Sequence, residues 1–138
     1  MAEAILNRIG SEHFEATSAG IMCERLHPLI PEVLKEIGID GEQKEPQLVQ
    51  QLLEEKFHYV ITMGERAPSY DRNFPGAEIA HWRFDHPVEL SNDPQKQLRE
   101  FRIVRDQILQ RLRLFVLVHS RPQPGAPGTS LSRVQKAG

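Results

Sequence analysis

Apolar residues along the chain recur with two different periods, and the alternation between them predicts an α/β fold. From Met1 to Ile9, helix-forming residues bring Ile5, Leu6 and Ile9 to one face, and Gly10 stands where a helix stops. Phe14 to Ser18 suits a short strand closed by Ala19-Gly20. His27-Pro28 then leads into Leu29 to Ile37, where Leu29, Ile30, Val33, Leu34 and Ile37 keep helical spacing up to Gly38. Ile39 to Glu45 is polar and turn-like, after which Pro46 suits the first turn of a helix carrying Leu48, Val49, Leu52 and Leu53. Phe57 to Met63 is a near-continuous run of strand formers, as expected of a central strand buried on both faces of a parallel sheet. Gly64 to Gly76 has loop composition, and Ile79 to Phe84 is expected to be the last strand.

Beyond Pro87, Ser91-Asn92-Asp93-Pro94 is a helix start signal. After it Leu98, Phe101, Val104, Ile108, Leu112 and Phe115 recur every three or four residues, which makes this the longest predicted helix. From Arg121 onward, prolines, glycines and serines leave too few large apolar groups to offset the entropy of ordering. The predicted organisation is therefore one domain over residues 1–119 and a disordered tail over 120–138. Helices alternating with strands imply a small open parallel sheet flanked by helices rather than a barrel.

Composition narrows the class. At 138 residues, 39% hydrophobic, the chain is long enough to bury a core without metal or disulfide staples. Its 17 basic and 19 acidic residues are interspersed and leave a net charge of -2, so neither nucleic acid nor an anionic membrane is an expected partner. A single cysteine, Cys23, rules out an intrachain disulfide, no apolar run is long enough to span a bilayer, and Met1 is not followed by a basic, then apolar, export signal. A cytoplasmic location is the expectation.

Candidate chemistry is sparse. Cys23 has only Arg25 and His27 in local reach as cations that could lower its pKa, and it reads as an inert loop thiol. The segment His81-Trp82-Arg83-Phe84-Asp85-His86-Pro87 places two imidazoles and a carboxylate at the end of a predicted strand, where open α/β sheets put their sites. His86 can donate a proton near neutral pH, whereas Asp85 needs burial to stay protonated; a plain surface turn is the competing reading. Arg66, Tyr70 and Arg72 lie in the loop and suit either an anionic ligand or solvent. Arg102, Arg105, Arg111 and Arg113 are offset by acids and are expected on the wet face of the long helix. No metal-ligand spacing, phosphate-binding glycine loop, Gly-x-Ser-x-Gly elbow or dinucleotide fingerprint is present, so no metal or cofactor is expected.

Several segments in order resemble one family: Met1-Ala-Glu, Thr17-Ser-Ala-Gly20, His27-Pro28, Ile37-Gly-Ile-Asp40, Tyr59-Val-Ile-Thr62, Phe74-Pro-Gly76, His81-Trp82-x-Phe84-Asp85-x-Pro87 and Phe101-Arg-x-Val-Arg-Asp106. Together, over roughly residues 1 to 117, they are similar to thioredoxin-coupled arsenate reductases, which share the low-molecular-weight protein tyrosine phosphatase fold. The resemblance implies an oxyanion or phosphoester substrate and thioredoxin as partner. It also implies a first strand and a Cys-x5-Arg loop just before Met1, whose thiolate attacks the oxyanion while the loop amides and arginine hold it. The helical pattern that opens at Met1 without a capping residue fits that reading, in which the chain is N-terminally truncated. The family's general acid is the Asp directly before the motif's Pro, a position held here by His86, with Asp85 one residue earlier. Its two further relay cysteines fall at about Gly64 and Asp71, and Cys23 matches none of the family's thiols.

Two functions compete. One is an arsenate reductase or phosphatase whose chemistry belongs to a form with the Cys-x5-Arg loop. The other is a non-catalytic pseudo-phosphatase binding an oxyanion or a protein partner. A sheet without its first strand would expose ladder groups, so the 138-residue chain is expected to self-associate or dissolve poorly. Size-exclusion chromatography with thermal unfolding tests this: a monomer that unfolds cooperatively contradicts it.

Overall fold

A computed structural model describes residues 1–20, 27–40, 47–63, 74–84, 92–120 and 130–136, the last as backbone. Among the described residues three α-helices pack on a four-stranded, all-parallel sheet, so the expected α/β class and small open parallel sheet flanked by helices are observed. Helix α1 spans Ala2–Ile9, strand β1 Phe14–Gly20, helix α2 Leu29–Lys35, strand β2 Tyr59–Met63, strand β3 Glu78–Trp82, helix α3 Pro94–His119 and strand β4 Ser130–Lys136. The strands lie in the order β1-β4-β2-β3.

The local signals act as their chemistry requires. Asp93 caps α3 by accepting a hydrogen bond from the Gln95 amide at 3.0 Å, with Pro94 in the first turn where its missing N–H costs nothing. Gly38 follows α2 at a φ of 78°, a left-handed position that favours glycine. Gly10 turns the chain from α1 into β1 for a different reason: a Cβ there would meet Phe14, Val116 and Leu6 at 3.1–3.2 Å. Leu48, Val49, Leu52 and Leu53 do not build an α-helix. Val49–Leu52 is a single 3-10 turn that seals the far face with Val49 and Leu52. Four residues give too few backbone bonds to sustain more.

Two clusters sandwich the sheet. On one face Ile5 and Leu6 of α1, Val33 and Leu34 of α2, and Phe101, Val104, Ile108, Leu112 and Phe115 of α3 close over Phe14, Ala16, Ile61 and Met63. On the other, Val49, Leu52, Phe57 and Phe74 cover Ala19 and Val60. Strand β2 therefore has apolar partners on both sides, which is why its residues from Val60 to Met63 are all buried. Its expected central place is observed, between β4 and β3.

The tail requires a correction. Residues 120–138 were expected to be disordered, yet Ser120 caps α3 and Ser130–Lys136 forms β4, in the middle of the sheet. β4 pairs with β1 from Phe14↔Ser130 to Gly20↔Lys136 and with β2 from Tyr59↔Ser132 to Met63↔Lys136. Composition missed it because the ordering force comes from two waiting ladders and not from the strand's own side chains. β3 is accordingly not the last strand.

Arg105 requires another. It was expected on the wet face of α3 but is 8% exposed, its guanidinium donating to the Val33 carbonyl at 2.9 Å and to Glu36 at 2.8 Å. Arg102 approaches the same carboxylate through Nε at 3.0 and 3.1 Å and Nη2 at 2.6 Å. Glu36 thus joins the end of α2 to α3. Among the described residues no helix is long and apolar enough to cross a membrane.

The hydrogen bond from Arg102, reinforced by its charge and by Arg105, holds the Glu36 carboxyl below its ordinary pKa. A depressed folded-state pKa contributes stability that is present above the unfolded carboxylate range and is lost as pH falls through the folded value. The stability difference between the native chain and Glu36→Gln, read from denaturant melts, is therefore expected to be constant at neutral pH and to shrink below the ordinary carboxylate range. A difference that does not change with pH would contradict the assignment.

Candidate functional site

Because every strand pair is parallel, the C-terminal ends Gly20, Met63, Trp82 and Lys136 gather at one edge of the sheet, where open α/β folds form their crevices. Helix α1 presents its N-terminal end to this edge. The Glu3 carboxylate accepts from the Ser18 amide at 2.7 Å and from the Ser18 hydroxyl. One turn further along, Asn7 donates to the Ala16 carbonyl at 3.0 Å and accepts from its amide at 2.8 Å. Numbers rise along α1 as they fall along β1, so the helix runs antiparallel to the strand and its first-turn amides face the edge. That end carries partial positive charge and suits an anion.

Opposite α1, Thr62 and His81 join the ends of β2 and β3 by a hydrogen bond between Oγ1 and Nδ1. Thr62 is 2% exposed, so its hydroxyl is satisfied inside the core by a ring on the neighbouring strand. His27, ahead of α2, accepts from the Leu29 amide at 3.2 Å and lies 4.7 Å from the Phe101 ring. These contacts make His27 part of the joint between α2 and α3.

The predicted acid pair, Asp85 and His86, lies outside the described residues, as do Cys23, Gly64, Arg66, Tyr70, Asp71 and Arg72. What the structure does fix is the approach to them. Trp82 is buried at the end of β3 and meets Phe84 edge-on at 6.4 Å, with Arg111 stacked 5.0 Å over its ring. Trp82 and Phe84 of the motif are thus anchors. Among the described residues no group of three or more His, Cys, Asp or Glu is placed to hold a metal.

Sequence reasoning passed over an open cleft of about 280 Å³ on the α3 side of β2 and β3, walled by Tyr59, Trp82, Phe115 and His119. His119 stacks on Phe115 at 4.3 Å and lies 3.7 Å from Glu78. Burial and the Glu78 charge raise the Tyr59 pKa, keeping its hydroxyl protonated. The signal for these residues was the spacing of Phe115 and His119 on one helix turn, but periodicity does not tell which sheet residues a helix will meet.

Residues 1–123 match the family model described as low molecular weight phosphotyrosine protein phosphatase. An arsenate reductase of Halalkalibacterium halodurans is 30% identical over 116 residues, 83% of this chain and 84% of the relative. One of Bacillus subtilis is 28% identical over the same shares. A solved arsenate reductase in its reduced state superimposes with a TM-score of 0.69 at 23% identity, covering 85% of this chain and 86% of that one, a likeness of fold.

The Glu3 to Ser18 contact fixes the height of α1 at the edge. Ser18→Ala, which leaves the amide bond in place, is expected to cost about 0.5–1.5 kcal/mol in a urea melt, and Glu3→Ala about 1–3 kcal/mol because both donors lose their acceptor. Equal losses would show that the hydroxyl alone carries the contact.

Proposed function

The chain belongs to the low molecular weight phosphotyrosine protein phosphatase family, and on that premise we propose that its chemistry is oxyanion chemistry, arsenate reduction or phosphoester hydrolysis, performed by a form with a Cys-x5-Arg loop at the N-terminal end of α1. The 138 residues themselves contain no such loop: the one cysteine, Cys23, is followed at the arginine position by Leu29. The observation that carries the reading is the orientation of α1, whose first turn faces the C-terminal edge of an all-parallel sheet and turns the positive end of its dipole toward an anion there.

In this reading a thiolate and arginine outside the 138 residues attack and hold the oxyanion. His86, in the position of the family's acid, protonates the leaving group, and Asp85 either holds the imidazole or takes the proton role itself. Gly64 and Asp71 stand at about the two relay positions and Cys23 matches neither, so the internal disulfide relay has no carriers and hydrolysis of a phosphoester is favoured over arsenate reduction. The single cysteine of the 138 residues supports a cytoplasmic home.

The sheet of the described residues supports a second reading, a non-catalytic relative that binds an oxyanion or a protein, since β4 pairs with both β1 and β2 at its centre. One assay set separates the two. With p-nitrophenyl phosphate, the 138-residue chain is expected to show no turnover that Cys23→Ser removes. Fusing a strand and Cys-x5-Arg loop ahead of Met1 is expected to create turnover that His86→Ala lowers by about 10²–10⁴-fold. No turnover from a folded fusion, together with arsenate or phosphate binding to the unfused chain by calorimetry, would overturn the catalytic reading and support the binding one.

A further inference from the structure

Exposed apolar side chains scattered singly need no explanation, but those of this chain are gathered on one element. Among the described residues Leu114, Leu117 and Val118 are the most exposed large hydrophobics, at 62%, 60% and 62%, and all three belong to the last two turns of α3. The helices packed against α3 are α1 and α2, and β3 is an outer strand. Among the described residues the side of α3 over β3 therefore has no helix beside it.

Strand and helix periods explain what forms there. Side chains alternate faces along a strand, so Glu78, Ala80 and Trp82 of β3 share a face with Tyr59 and Ile61 of β2. On α3, Arg111, Leu114 and Val118 follow at intervals of three and four residues and make a ridge. The cleft of about 280 Å³ lies between that ridge and the strand, with Ile61, Ala80 and Phe115 in its lining. Arg111 stands over Trp82 at one end of it, and Glu78 lies by His119 at the other. The span from Arg111 to His119 is about 12 Å of helix, and that from Glu78 to Trp82 about 13 Å of strand. The Glu78 side chain is 68% exposed and 3.7 Å from His119, longer than a hydrogen bond, which leaves its oxygens room for a guanidinium.

An apolar ridge beside an apolar groove, with opposite charges at the two ends, is complementary to itself. We propose that this face is the interface of a two-fold homodimer, in which Leu114 and Val118 of each chain enter the cleft of the other. A two-fold axis turns the ridge end for end, so Arg111 of one chain arrives at the partner's Glu78, and the contact is made twice. Ridges seated in grooves in this way are the ordinary geometry of helix packing. A second copy supplies the ridge, the groove and both charges at the required spacing, which is why it is the occupant. Such a dimer is closed, whereas pairing through exposed strand edges adds further chains without limit. The proposal is independent of any catalytic role.

Sedimentation velocity on the full chain over a dilution series tests this. A reversible equilibrium of monomer and dimer, without larger species, is expected. Leu114→Lys changes an exposed position and is expected to weaken dimerisation by at least about tenfold with the far-UV circular dichroism unchanged. Glu78→Arg and Arg111→Glu each set like charges against one another at both contacts, and each alone is expected to weaken it by about tenfold. Mixing these two single variants is expected to restore association, because both contacts of the mixed pair then join opposite charges. A monomer throughout the series overturns the proposal. So does association that Leu114→Lys leaves unchanged, which would place the contact at the strand edges, and so does a mixture that associates no better than its components. Should Arg111→Glu not fold for want of its stack on Trp82, Leu114→Lys and Glu78→Arg decide, and an unchanged dimer in either overturns it.

Discussion

Strands β1 and β2 are each paired with β4 rather than with one another, so the hydrogen bonds that make one sheet of the molecule pass through its centre. The rest of the architecture presupposes that continuity. α1 lies against β1, α3 spans toward β2 and β3, and the cluster formed by Ile5, Leu6, Ile61, Leu112 and Phe115 exists only while the sheet beneath it is unbroken. The Glu36 link between α2 and α3 holds the helical layer together from above, but its charges are partly exposed, and pairs of that kind contribute little next to a ladder of backbone bonds.

The same continuity gives the functional edge its shape. An all-parallel sheet sends every strand end to one side, and an antiparallel helix returns its positive end there. Neither feature is specific to one reaction. The proposed reaction needs a loop whose cysteine and arginine the 138 residues do not contain. On the proposed reading the place for an anion is separate from the residues that would attack it, and this separation lets catalytic and binding readings share one scaffold.

Much of this was legible in the residues, and the failures have physical causes. Asp93-Pro94 located the start of α3, and the run from Tyr59 to Met63 announced a strand covered on both faces. β4 was illegible because its order is borrowed from β1 and β2, whereas Arg105 was misplaced because charge says nothing of a carbonyl and a carboxylate waiting on another helix. The short apolar run at Leu48 to Leu53 was given the wrong helix type, since four apolar positions fit either geometry. Of the candidate site, the order of motifs was readable and matched a known family. The acid pair Asp85 and His86 was readable as chemistry, and its placement lies outside the described residues.

Gly10 carries a consequence for how such a chain varies over generations. The corner it forms is closed on three sides by Leu6, Phe14 and Val116, which belong to α1, β1 and α3. A side chain can enter only if one of those three gives up volume at the same time, so substitutions there should travel in pairs, with Leu6 or Phe14 nearby or with Val116 far along the chain. The junction would then drift as a unit, leaving a trace of correlated change among positions 6, 10, 14 and 116.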